Sequence, residues 1–95
     1  MSPKKAYEEK LQAQLDELKA KIDTLKAKAD QTEASTRLSY YDTIEELKLK
    51  RDLAQNKLDE IKKAGESAWE DLKDGAEGAW AEFSAAVKAA TSRFQ

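Results

Sequence analysis

From Leu11 onward the apolar residues of this chain fall at Leu11, Leu18, Ile22, Leu25 and Ala29, with Leu15 beside them. Steps of seven, four, three and four hold those side chains on one face of an α-helix, which is the spacing of a coiled-coil seam. Ser2 before Pro3 reads as an N-cap followed by proline at the first helical position, where its missing N–H costs nothing, so the helix is expected to start at residue 3. Glu17 with Lys21, Glu33 with Arg37, Glu46 with Lys50 and Asp59 with Lys63 are acid-before-base pairs four apart, the favourable order on a solvated helix. Between Asp30 and Arg37 the stripe weakens to Thr32 and Thr36. It then resumes through Tyr40, Ile44 and Leu47 with two successive four-residue steps, and continues as Arg51, Ala54, Leu58 and Ile61. Such a stutter unwinds a supercoil locally without ending the helix. No Gly or Pro lies between Ala6 and Ala64, so the pattern predicts one long helix over about residues 3–64. The alternative is a loop near 30–37, which makes a three-helix bundle. An Asp42 and Glu45 capping box would instead place a turn at that point.

Gly65 is the first residue suited to a left-handed position after a helix, and Ser67-Ala68-Trp69-Glu70 behind it has the form of a capping box. The turn is therefore expected at 65–67 and a second helix over about 68–93. There Ala68-Trp69 recurs eleven residues later as Ala79-Trp80, and the stripe reads Trp69, Leu72, Ala76, Trp80, Phe83, Val87, Thr91, Phe94. An eleven-residue period predicts a straight or slightly right-handed helix with Trp69, Leu72, Trp80, Phe83, Val87 and Phe94 as its packing or partner face. Gly75 and Gly78 weaken it in isolation, so it needs a surface to pack on. The expected fold is all-α, a single domain over residues 1–95, with the second helix folded back on the first as a hairpin. A helix of about 90 Å outruns one of about 40 Å at roughly 1.5 Å per residue. Leu11, Leu18, Ile22 and Leu25 would then be left bare, which predicts a homo-oligomer, most simply a dimer, with those residues as its seam.

The composition agrees with long helices: 38% of residues are charged, one is Pro and three are Gly. Seventeen basic residues against nineteen acidic ones give a net charge of −2, so no overall field attracts nucleic acid or an anionic membrane. Lys48, Lys50, Arg51, Lys57, Lys62 and Lys63 are interleaved with Glu45, Glu46, Asp52, Asp59 and Glu60, the pattern of a solvated face. Beyond residue 64 six acidic residues outnumber three basic ones, whereas interfacial helices usually carry a basic polar face. No stretch approaches the roughly 18 apolar residues that a bilayer span requires, and a cytoplasmic location is the expectation.

Cys and His are both absent. That removes disulfides, thiolate metal sites, nucleophilic catalysis by Cys or with a His base, and the Glu-x-x-His pairs of di-metal bundles. No glycine-rich phosphate loop occurs. The carboxylates Asp42, Glu45 and Glu46 lie among solvated helical charges, with no apolar pocket to shift a pKa. The reading is a non-enzymatic protein with no catalytic residue, metal or cofactor, acting through its surfaces on copies of itself or on another protein. A lipid-binding or stress-protectant amphipathic helix is the alternative, motivated by the Trp and Phe face, the glycines and a mean hydropathy of −0.85.

Leu11-Gln12-Ala13-Gln14-Leu15-Asp16, Ala68-Trp69-Glu70-Asp71-Leu72-Lys73, the second Ala79-Trp80 and the ending Ala90-Thr91-Ser92-Arg93-Phe94-Gln95 resemble a group of small bacterial coiled-coil proteins. The resemblance covers nearly the whole chain, and its Trp-containing segment is the more specific part. Some members of that group are labelled stress-response proteins, so the resemblance implies a bacterial cytosolic protein linked to stress, with no site residues to carry over. The eleven-residue spacing is also similar to that of exchangeable apolipoproteins and of desiccation-protective late-embryogenesis proteins.

Overall fold

The computed structural model describes residues 2–94. It contains three helices, α1 (Pro3–Asp30), α2 (Ala34–Lys63) and α3 (Trp69–Arg93), which run up, down and up around one core, and no strand occurs among the described residues. The expected start is present: Ser2 is the N-cap of α1, and its hydroxyl accepts a hydrogen bond of 3.1 Å from the Lys5 N–H.

The continuous helix over 3–64 is not formed. The chain turns at residues 31–33, inside the span where the alternative placed a loop. The turn is made without glycine: the Thr32 hydroxyl donates to the Lys28 carbonyl at 2.7 Å, the Arg37 guanidinium donates to the Thr32 carbonyl at 2.8 Å, and the Tyr41 hydroxyl donates to the Asp30 carboxylate at 2.8 Å. Burial supplies the driving force. Folded back, α1 covers Leu11, Leu15, Leu18, Ile22, Leu25 and Ala29 against the other two helices, and all six are buried. An unbroken helix would leave that stripe in water, at about 1.5–3 kcal/mol for each large side chain. The molecule is accordingly 51 Å long, and the length mismatch that called for a second copy disappears.

Two caps also differ from expectation. Gly65 has no positive φ, and α2 ends at Ala64 in an extended conformation (φ −75°, ψ 152°). Ala68, not Ser67, is the N-cap of α3, and no side-chain capping bond forms there. The chain therefore leaves α2 extended and re-enters through a turn over 66–68, so the left-handed geometry that favours Gly is never used. Asp42 lies inside α2 and caps nothing.

The buried positions follow heptads in all three helices. In α1 they are Glu8, Leu11, Leu15, Leu18, Ile22, Leu25 and Ala29, alternating steps of three and four. In α2 they are Tyr40, Ile44, Leu47, Ala54, Leu58 and Ile61, with half-buried Arg51 filling the gap. Arg51 keeps its head at the surface, 3.0 Å from Asp52, so its stem lines the core as a long side chain can. In α3, Trp69, Ala76, Phe83 and Ala90 are buried at intervals of seven. Of the expected stripe, Trp69, Ala76, Phe83 and Val87 are buried and Leu72, Trp80 and Phe94 are half-covered against the core, while Ala79 and Ala90 are buried in addition to it.

Candidate functional site

Of the residues singled out from sequence, Leu11, Leu18, Ile22 and Leu25 are interior to the bundle, as are Trp69, Phe83 and Val87. Leu72, Trp80 and Phe94 are partly buried and pack against the same core. Neither the α1 stripe nor the aromatic stripe of α3 is a free surface.

The aromatic residues instead fasten the two ends of the bundle. At one end the Tyr7 and Trp69 rings lie 5.5 Å apart, Lys73 sits over both, and the Tyr7 hydroxyl donates to the Glu77 carboxylate at 3.1 Å. At the other end Tyr40 stacks on Phe94 at 4.0 Å, and its hydroxyl donates to the Phe94 carbonyl at 3.2 Å. Burial, and then the hydrogen bond to Glu77, push the Tyr7 phenol well above its usual value of 10.0. The folded state therefore keeps that proton where the unfolded chain releases it, and the associated stability is present below pH 10 and lost as pH rises beyond it. In alkaline denaturation monitored by circular dichroism, the midpoint in urea is expected to fall more steeply above pH 10 than in Tyr7→Phe. Identical pH profiles for the two proteins would exclude this coupling.

Along the α1 and α2 seam runs a polar network that sequence reading missed. The Gln12 and Gln55 amides exchange two hydrogen bonds of 3.1 Å each. Each amide oxygen also accepts from a lysine, Gln12 from Lys62 at 3.2 Å and Gln55 from Lys19 at 2.8 Å. Each amide nitrogen also donates to a carboxylate, Gln12 to Asp16 at 3.0 Å and Gln55 to Asp59 at 3.1 Å. The signal was in the sequence: Gln12-Ala13-Gln14-Leu15-Asp16-Glu17-Leu18-Lys19 is echoed by Gln55-Asn56-Lys57-Leu58-Asp59-Glu60-Ile61-Lys62. Gln, Asp and Lys at i, i+4 and i+7 share one helix face, and two antiparallel copies of that face satisfy each other. This network sets the register of the hairpin. The four expected acid and base pairs do not form ion pairs, whereas Lys4 with Glu8, Asp16 with Lys19, Glu45 with Lys48, Arg51 with Asp52 and Glu60 with Lys57 do. At a few tenths of a kcal/mol apiece, the last four, which are exposed, do not constrain one another's geometry, whereas the Lys4 and Glu8 side chains are each only 11% exposed.

Among the described residues the exposed large apolar ones are Leu38, Tyr41, Leu49 and Leu53, and all four belong to α2. Leu38 is 69% and Leu49 71% exposed, which sets them apart from half-covered rim residues. At about 100° per residue the four fall within roughly 120° of helix azimuth, on the side away from α1 and α3. Asp42, Glu45 and Asp52 share that arc and are exposed. Two open depressions lie elsewhere, one along α2 and α3 lined by Thr43, Glu46, Leu47, Ala86, Ala90 and Arg93, the other lined by Lys5, Glu8, Glu9, Gln12 and Lys62.

Set beside protein-family models, curated proteins and solved structures, the chain matches none. Its chemistry is therefore read from its own surface. Among the described residues no group of three or more acidic side chains is arranged to hold a metal ion, and no helix is long and apolar enough to cross a membrane.

Proposed function

We propose that this protein is a non-enzymatic interaction module, and that the outer face of α2 is where it engages a partner protein. The observation that carries this reading is the confinement of Leu38, Tyr41, Leu49 and Leu53 to one face, where the other large apolar side chains among the described residues are covered. Large apolar side chains gathered on one face of a solvated helix mark a surface that something covers. Asp42, Glu45 and Asp52 share the strip, Glu45 paired with Lys48 and Asp52 with Arg51 in the free chain. The matching partner is an amphipathic helix with an apolar stripe bordered by Lys or Arg, laid along α2 with helix-on-helix packing. The same carboxylates oppose an anionic bilayer. The lipid-binding alternative drew its support from the Trp and Phe face of α3, and those side chains pack against the core.

The test uses two synthetic amphipathic helices with identical apolar faces, one flanked by Lys and one by Glu, titrated against the intact chain. Binding is expected for the basic peptide alone, weakening as salt is raised. It should be lost in Leu38→Ser/Leu49→Ser, whose thermal unfolding should stay close to the parent because exposed substitutions seldom change stability by more than about 0.5 kcal/mol. Equal binding of both peptides, binding that survives the double substitution, or no binding beside association with anionic vesicles would each sink the proposal.

A further inference from the structure

We infer that the turn at residues 31–33 is a hinge, which opens to join α1 and α2 into one continuous helix and exchanges α1 between two copies of this chain. The turn has no Gly or Pro, and no residue in it has a positive φ. Nothing in its backbone chemistry forbids the helical conformation. Of its two flanking helix ends, α2 begins at Glu33 with no side-chain cap, and α1 ends at Gln31 with φ −97° and ψ 3°, its last carbonyls taken by the Gln31 and Thr32 N–H groups and the Thr32 hydroxyl. Helix ends leave backbone donors and acceptors without partners. A continuous helix supplies partners to the uncapped first N–H groups of α2 from its own i to i−4 bonds, in exchange for the Thr32, Arg37 and Tyr41 side-chain bonds that hold the turn.

The side-chain pattern permits the open form. Ala29 and Tyr40, the core residues on either side of the turn, are eleven positions apart, which is about 20° of azimuth in an unbroken helix. In that helix the two apolar stripes lie on one side, ready for a second antiparallel molecule. Two-fold pairing about the hinge then rebuilds each bundle from α1 of one copy with α2 and α3 of the other. The Gln12 with Gln55 amide pair, the Lys4 bond to the Lys62 carbonyl and the Tyr7 contact with Trp69 all connect α1 to the rest of the fold. Each re-forms between chains unchanged. The assembly closes on itself with no new interface to evolve, as exchange of an identical element requires.

The experiment compares refolding of the full chain from denaturant at high and at low protein concentration, followed by size-exclusion chromatography with light scattering. A dimer is expected from the concentrated sample, slow to revert on dilution because α1 must detach before the hinge can close. Spin labels on Asp23→Cys and Glu45→Cys, in chains mixed with excess unlabelled protein, distinguish exchange from simple association. The two positions lie on neighbouring turns of the antiparallel hairpin, whereas in one continuous helix they are separated by about 33 Å. The dimer should show the long intrachain distance and the monomer the short one. Thr32→Ala should raise the dimer fraction and Thr32→Gly lower it, with dimerisation constants about 30-fold apart because each of two hinges contributes the Ala and Gly helix difference. A chain that stays monomeric at every concentration even with Thr32→Ala, a dimer that keeps the short intrachain distance, or equal dimer fractions in the two Thr32 variants would overturn the inference.

Discussion

Phe83→Ala is expected to lower the unfolding free energy by about 3–5 kcal/mol, the usual cost of removing a buried aromatic side chain. Phe83 is completely enclosed, and it is the largest of the fully buried side chains. It sits halfway along α3 on the heptad line formed with Trp69, Ala76 and Ala90. Alanine neighbours on that line cannot expand into the vacated space, so the cavity term applies with little relief. A domain of this size has roughly 5–15 kcal/mol in all, and the variant should be partly unfolded at physiological temperature. Urea denaturation followed by circular dichroism gives the value directly. A loss below about 1.5 kcal/mol would show that Phe83 is not the central contact of the third helix.

The opposite sign is expected for Gly75→Ala combined with Gly78→Ala. Both glycines lie within α3, and a β-carbon added at either meets nothing within 4 Å. Each therefore incurs the backbone entropy cost of glycine in a helix with no compensating close approach. The double variant should gain about 2 kcal/mol. That corresponds to a rise in melting temperature of roughly 8–16 °C, at 4–8 °C per kcal/mol for a domain of this length. An unchanged or lower melting temperature would mean that these positions serve an arrangement of α3 other than the packed one.

The α1 stripe, the second half of α2 and the Ser2-Pro3 start were legible because each depends on spacing or on a local side-chain bond. The turn at 31–33 was not, because it uses Gln31, Thr32 and Glu33, residues equally at home in a helix. Only the burial of Leu11 to Ala29 against α2 and α3 decides it, and that is a property of the whole chain. The burial of Ala79 was overlooked for a related reason. Trp80 outweighs Ala79 when hydrophobicity is counted along the sequence, but in the bundle Ala79 is buried and Trp80 is half-buried against the same core. Its ring N–H is buried there without a partner, as is Nε of Arg37. The candidate site was the least legible part. Leu38 and Leu49 lie eleven apart and Leu53 four beyond, a second apolar line on α2 that is inconspicuous beside the core line until the core line is seen to be fully used.

With three helices rather than two or four, residue 2 and residue 94 lie at opposite poles of a body 51 Å long. Anything joined to the two ends is held apart by the bundle. Tension between them would pull α1 and α3 past each other along their axes, loading the core contacts and both aromatic clasps together in shear instead of peeling them open one at a time.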